Sequence, residues 1–476
     1  MSSLARALNR PVVAIVAVGI IAAALRFIHL GYPQERVFDE IYYTKSACIF
    51  LGYPNDRCDV KTADEKAFRE QRNDTAAWVH PPLGKWAIAL GELAAGTGPF
   101  GWRISAAIAG TATVVLLAMI VQLLFRSPIW TFTGGLLLAV ENLNFVLSRT
   151  GMLDIFVTFW IVLGFLFMLL DHRWIERRTP EPPAGDVPAG DAARPRLPSP
   201  LWRPWRFAAG VALGAGLATK WSALTGIAAA ILLAYMWEAS RRRRFRLPHP
   251  IRRAVSIETF GMVLAFVVVP ASIYVASYVP WFLHFGWNLN AWATMQRLMF
   301  DFQAGLRSSE EPNLDKSAAW QWLLLRRPVV FYGVSGSGMN RFIYANGNPA
   351  IFWGSLVAVP YAAFSWIRRQ DWRAGFIVVT VLALYVPWFL SSHPGFLFYA
   401  GPLSPFLVLS CVYGLRSLSD YTTRTEAGEP MHPLRPVAMV FVAIAAGLFV
   451  FFWPTLTGGP LSDHALRLRT WFSSWR

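Results

Sequence analysis

Three cysteines in 476 residues is a small supply, and charge is thin as well, with Asp, Glu, Lys and Arg together at 15%. So few thiols argue against a metal cluster, and no His/Cys grouping has zinc-ligand spacing. Carboxylates this sparse would hold one ion only loosely, so no metal site is expected. Cys411 lies in an apolar run and reads as core. Cys48 and Cys58 fall together in what reads as an outer loop, where a disulfide formed in an oxidising compartment and two free thiols are the alternatives. No Walker loop and no dinucleotide glycine pattern occurs, so no cofactor is expected. GVSGSGMN at 333–340 is Gly/Ser-rich, but its loop context makes it a turn. Lysine is scarce too: Lys45, Lys61, Lys66, Lys85, Lys220 and Lys316 are the six among 44 basic residues.

What the chain does have is apolar surface, at 55% hydrophobic and 15% aromatic residues. Long apolar runs recur at 11–30, 99–121, 129–147, 152–170, 207–219, 221–237, 259–280, 349–366, 374–391, 396–414 and 436–453. This is the pattern of an all-α polytopic membrane protein. The formal charge of +16 would suggest nucleic acid in a soluble chain. In a membrane protein it follows from arginine in cytoplasmic loops, and no nucleic-acid partner is expected. The amino terminus, with Arg6 and Arg10 before the first run, reads as an uncleaved first helix.

Arginine clusters set the topology. They occur at Arg6/Arg10, Arg126, Arg173/Arg177/Arg178, Arg241 to Arg244, Arg368/Arg369/Arg373 and Arg416/Arg424/Arg435. If all are cytoplasmic, an even number of crossings separates each from the next. Residues 207–238 must then cross twice or re-enter, with Lys220 at the outer tip, although one long helix looks natural there. Residues 127–171 form a second hairpin with ENLNFVLSRTGMLD at its tip. The expectation is eleven spans in a single membrane-embedded domain, amino terminus inside and carboxyl terminus outside. Residues 179–200, rich in Pro, Ala, Gly and Asp, read as a disordered cytoplasmic linker. Residues 31–98 and 281–348 are the large outer regions, the second with interfacial aromatics such as WFLHFGWNLNAW. No inverted repeat relates the halves, which weakens a transporter reading.

On this topology the unusual polar residues collect on the outer face. They are Asp39 and Glu40, His80 and Lys85, Arg103, Arg149 and Asp154, and Lys220. Each has a bland alternative. A cation can snorkel to headgroups, Asp154 can cap a helix, Glu141 can pair with Arg149, and HPP can mark a turn. Their joint placement suits a site that holds an anionic lipid headgroup beside a base. Sugar transfer from a phosphate-linked lipid needs a carboxylate for the acceptor proton and positive charge at the leaving phosphate.

FDE at 38–40 and HPPLGK at 80–85 resemble the first-loop motifs of the protein O-mannosyltransferases. The likeness continues in order through GWRISAAIAG, ENLNFVLSRTGMLD, GLATKWSALTGI and GNPAIFWG. The resemblance implies a GT-C glycosyltransferase fold of about eleven helices in a bacterial cell membrane. It implies mannose transfer from a polyprenyl-phosphate mannose donor to Ser/Thr hydroxyls of exported proteins, with the protein-export machinery as a further partner. Asp39 matches the acidic residue regarded as catalytic, with Glu40 beside it. Arg103, Arg149, Asp154 and Lys220 match positions of site or scaffold residues, and His80, Lys85 and Gln296 complete the expected substrate-binding set. Charge alone places the donor phosphate among Arg103, Arg149 and Lys220. Two departures concern the later segments. DFQAGL follows MQRLM where the family has a histidine downstream, and SSHPGFLFYAGPLSPF offers His393 where the family has an arginine. A transferase for another lipid-linked sugar with a lipid or glycan acceptor is the alternative, and a lipid-linked sugar transporter is a more distant one.

Overall fold

The computed structural model describes residues 10–60, 79–179, 199, 201–305, 315–336, 338–391, 395–424 and 430–475. Nearly all of the linker expected at 179–200, and His393, lie outside the described residues. The chain begins with α1 (Pro11–Phe27), then the first-loop helices α2 (Glu40–Phe50) and α3 (Leu83–Ala95). Next come α4 (Pro99–Phe125), α5 (Pro128–Ala139), the short α6 (Asn142–Leu147), α7 (Leu153–Glu176) and α8 (Pro204–Leu217). A 3-10 turn, Trp221–Ala223, leads into α9 (Leu224–Arg244). α10 (Pro250–Val263) continues through a π turn into α11 (Val269–Ala276). The second large loop holds α12 (Val279–Phe285), α13 (Leu289–Gly305), α14 (Ala319–Leu323) and a hairpin of β1 (Val329–Gly336) and β2 (Met339–Ala345). After it follow α15 (Pro349–Arg369), α16 (Trp372–Tyr385), α17 (Pro387–Leu390), α18 (Ser404–Ser419) and α19 (Arg435–Thr457). The two-residue β3 (Leu461–Ser462) adds a third antiparallel strand beside β2, and α20 (Asp463–Arg469) follows it.

Each of the eleven apolar runs coincides with a helical segment. Among the described residues, seven helices are long and apolar enough to cross a membrane. Proline opens α1, α4, α5, α8, α10 and α15, where its missing N–H would have had no partner and its fixed φ suits the first turn. The run 129–147 is two helices, not one. Val140 ends α5, and the Glu141 carboxylate accepts from the Leu143 and Asn144 amides at 3.0 and 2.7 Å to start α6. Glu141 is thus a helix cap and not the partner of Arg149.

Ion pairs at the helix ends give the directions of α7, α8 and α9. Asp154, in the first turn of α7, meets Lys220 beyond α8 at 2.8 Å. At the far end of α7, Asp171 accepts from Arg203, just before α8, at 2.9 Å. Glu176 meets Arg241 and Arg244, at the end of α9, at 3.3 and 2.7 Å. α8 is therefore antiparallel to α7, and α9 parallel to it. The hairpin expected over 207–238 is present, with Lys220 at its tip. Arg206 and Glu258 extend the far cluster, both buried, so none of these charges is left alone in an apolar interior. Cys48, near the end of α2, is disulfide-bonded to Cys58.

Candidate active site

The FDE segment splits its two carboxylates. Phe38 takes a left-handed backbone, φ 46°, which a bulky side chain rarely adopts. Its ring stacks on Phe331 of β1 at 4.6 Å and meets Phe398 edge-on at 5.4 Å, so contacts from two distant segments hold that conformation. The turn places Asp39 at the head of α2 and Glu40 inside it.

Glu40 is fully buried and fully used. The Arg103 guanidinium donates to both carboxylate oxygens at 2.8 Å, and the Val37 and Gly151 amides donate at 2.9 and 2.7 Å. The remaining Arg103 donors go to the carbonyls of Leu30, Pro33 and Glu35. Glu40, set beside Asp39 in the expected site, is instead the brace that ties FDE to α4 and to the Gly151 turn. Arg103 leaves no N–H for a phosphate. Arg149 turns inward too, donating to the carbonyls of Arg26, Ile28 and His29 at 2.7, 2.7 and 2.9 Å. It closes the C-terminal end of α1, where free carbonyls attract a cation. A buried guanidinium satisfied from within the protein and one facing a ligand look alike in sequence, but neither arginine faces a phosphate, contrary to the expectation from charge.

Asp39 is different. Its side chain is partly buried, and its one side-chain hydrogen bond among the described residues comes from the Tyr43 hydroxyl at 3.3 Å, one turn along α2. Burial pushes the Asp39 carboxyl up to about 6, against the pull of Lys220 and with the push of Asp154. Asp154 does not cap α7; it accepts from the Lys220 ammonium, which also lies 4.7 Å from the centroid of the Tyr399 ring. The second oxygen of Asp154 is buried, with no hydrogen-bond partner among the described residues. His80, Lys220, Trp221, Gln303, Trp388 and Tyr399 line a cavity of about 270 Å³ against this cluster. The arrangement offers a carboxylate able to take a proton near neutral pH and one ammonium facing a small cavity walled with aromatic rings.

The remaining expected residues stand further back. Lys85 is buried in α3, and burial lowers its ammonium to about 7. Gln296 accepts from the Tyr274 hydroxyl at 2.6 Å, and Tyr274 accepts from the indole of Trp221 at 3.1 Å, so Gln296 supports the Trp221 wall of the cavity through Tyr274. Gly84 of HPPLGK lies at a close approach between helices. A Cβ there would come within 2.8 Å of Leu153 and of Thr219, so the glycine lets α3 lie against both neighbouring motifs. The Leu83 amide then bonds the Ala218 carbonyl at 3.0 Å. In GNPAIFWG, the Asn348 side chain donates to the carbonyls of Val140 and Ala445 and caps α15. Sequence reasoning missed Tyr43, Trp388, Tyr399 and Gln303. Tyr43 was findable, since it stands four residues beyond Asp39 on a helix. Gln303 and Tyr399 lie in the two segments that depart from the family pattern.

Residues 78–286 match the dolichyl-phosphate-mannose-protein mannosyltransferase family, and residues 288–475 match the C-terminal four TMM region of protein-O-mannosyltransferase. A polyprenol-phosphate-mannose–protein mannosyltransferase of Mycolicibacterium smegmatis (strain MKD8) is 29% identical, with 96% of this chain and 91% of that protein covered. Its counterpart in Mycobacterium tuberculosis H37Rv is 28% identical, covering 96% and 90%. The one in Corynebacterium glutamicum is 28% identical, covering 84% and 81%. In fold, the chain superposes on the Saccharomyces cerevisiae Pmt1–Pmt2 complex bound to the sugar donor with a TM-score of 0.72 at 13% identity, covering 98% of this chain and 92% of that one. ArnT of Cupriavidus metallidurans bound to undecaprenyl phosphate gives 0.53 at 16% identity, covering 96% and 78%. The likeness is one of fold. The two matched stretches between them take in most of the sequence, and the chain belongs to the protein O-mannosyltransferase family.

Proposed function

We propose that this enzyme transfers mannose from polyprenyl-phosphate mannose to Ser or Thr hydroxyls of proteins, with Asp39 as general base. The observation that carries the assignment is the Asp39 carboxylate itself. It is partly buried, bonded only by Tyr43 among the described residues, and set beside the cavity of Lys220 and Tyr399. The acceptor hydroxyl is a poor nucleophile until its proton is taken in the transition state. As the C–O bond to mannose forms on one face of the sugar, the bond to the phosphate breaks on the other, and the hydroxyl proton passes to Asp39. Lys220, oriented by Asp154, meets the charge that develops on the departing phosphate. One carboxylate and direct displacement give inversion, so a β-linked donor yields an α-mannoside. His80 and the Trp388 and Tyr399 rings supply polar and stacking contacts to the sugar.

The same reading sets eleven crossings in the cell membrane, with the amino terminus in the cytoplasm and the cavity and carboxyl terminus on the outer face. The arginine-rich far ends of α7 and α9 support it. Exported proteins, met as they leave the export machinery, are then the accessible acceptors. Incubation of the purified enzyme with synthetic polyprenyl-phosphate mannose and a Ser/Thr-rich peptide should give an α-O-mannosyl peptide. A product found only with another lipid-linked sugar, or only with a lipid or glycan acceptor, would replace this reading.

A further inference from the structure

At the end of the bundle away from Asp154 lies a second and larger cavity, of about 830 Å³. Its rim carries Arg126, Arg173, Arg243, Arg244, Arg373 and Arg416, contributed by the ends of α4, α7, α9 and α18 and the start of α16. Glu176 is the one carboxylate in this lining, and Arg241 and Arg244 already hold it. Among the described residues no carboxylate pairs with Arg126, Arg173, Arg243 or Arg373. Arg126, Arg177 and Arg373 all act on Arg173 as like charges. Cations gathered around an indole-lined hollow repel one another unless an anion lies among them.

The inner wall repeats the message. His172 is sandwiched between Trp237 and Trp372, with ring centroids at 4.4 and 4.5 Å. It is 8% exposed, and its Nδ1 has no hydrogen-bond partner among the described residues. An unmet polar atom at the back of a basic cavity is what an anionic or hydroxylated ligand would satisfy. Guanidinium forks match phosphate oxygens, and tryptophan suits the boundary between headgroup and acyl chain. Basic pockets between membrane helices at the arginine-rich side take anionic lipid headgroups.

We propose that this cavity binds a phosphate-bearing anion, supplied as the headgroup of an acidic phospholipid in the leaflet opposite the catalytic cavity. The site does not depend on the mannosyl-transfer reading. The test uses the purified, delipidated full chain in vesicles of phosphatidylcholine with or without phosphatidylglycerol, and native mass spectrometry of the lipid retained. Wild-type protein should retain phosphatidylglycerol. The double variant Arg126→Gln/Arg373→Gln should bind it about thirtyfold more weakly, roughly fivefold for each arginine near the surface. Arg126→Lys/Arg373→Lys should retain most of the binding, which separates lost charge from a lost fold. Glycerol phosphate offered without acidic lipid tests the source of the phosphate. Protection of wild type but not the Gln variant against thermal unfolding by glycerol phosphate alone would overturn the lipid source and leave a soluble phosphate in its place. Equal retention by wild type and the Gln variant, or no preference for phosphatidylglycerol over phosphatidylcholine, would overturn the site.

Discussion

Asp39 and Glu40 are neighbours with the same functional group, and the structure requires their amides to behave in opposite ways. At pH 7 the ionised Asp39 side chain is disfavoured by burial. Its carboxyl stands at about 6 against 3.8 unperturbed. At about 1.4 kcal/mol for each tenfold, the folded state loses on the order of 3 kcal/mol. The sign follows from the raised value: the cost is absent below pH 3.8, grows as pH rises, and is complete above about 6. Asp39→Asn removes that cost, so the variant should unfold at the same temperature as wild type or a higher one. Turnover should fall by roughly 10²–10⁴-fold, the range for a lost general base. Glu40→Gln does the reverse. Its carboxylate takes four hydrogen bonds, two of them from a buried guanidinium. An amide would face at least one of those donors with its own N–H and leave the Arg103 charge uncompensated, at a cost of about 3–5 kcal/mol. Thermal unfolding and peptide mannosylation, measured on both variants in one detergent, decide the matter. A Glu40→Gln protein as stable as wild type, or an Asp39→Asn protein with near-full transfer, would refute the division of labour.

The raised carboxyl also predicts a pH profile: kcat/KM should drop about tenfold per pH unit below 6 and level off above it, and a flat profile between pH 5 and 8 would remove Asp39 as the base. Lys220→Met should cut turnover by roughly 10²–10³-fold, the scale of one lost donor at a developing charge, and a mild effect on steady-state rates would move the phosphate elsewhere. Gly84→Val should destabilise the fold by about 1–3 kcal/mol through overpacking against Leu153 and Thr219, read as a lower unfolding temperature, and an unchanged midpoint would contradict the close packing of α3.

The helices were readable because a membrane span needs a long apolar run, and all eleven runs coincide with helices. The positive-inside rule did more than hydropathy at 207–238, where a single span looked natural and the ion pairs at Asp154, Asp171 and Glu176 show a hairpin. It could not reveal the break at Val140 and Glu141, because the break depends on a carboxylate finding two amides. Within the site, Asp39, His80, Asp154 and Lys220 were legible as motif residues and do come together. Arg103 and Arg149 were given the wrong direction. Whether an arginine faces carbonyls or a ligand depends on where the chain ends of other helices come to rest, and no local pattern records that. Tyr399 sits far along the chain from Asp39, and only the folded bundle brings it beside Lys220.

The aromatic stack on Phe38 carries a consequence for how the protein is made. Phe38 and Asp39 emerge from the ribosome early, whereas Phe331 and Phe398 emerge late. Until both later rings are in place, the stack that holds Phe38 in its left-handed turn beside Asp39 is incomplete. With Asp39 as the proposed base, a half-synthesised chain is expected to transfer no mannose. The proposed site is therefore complete only once the carboxyl-terminal half has arrived.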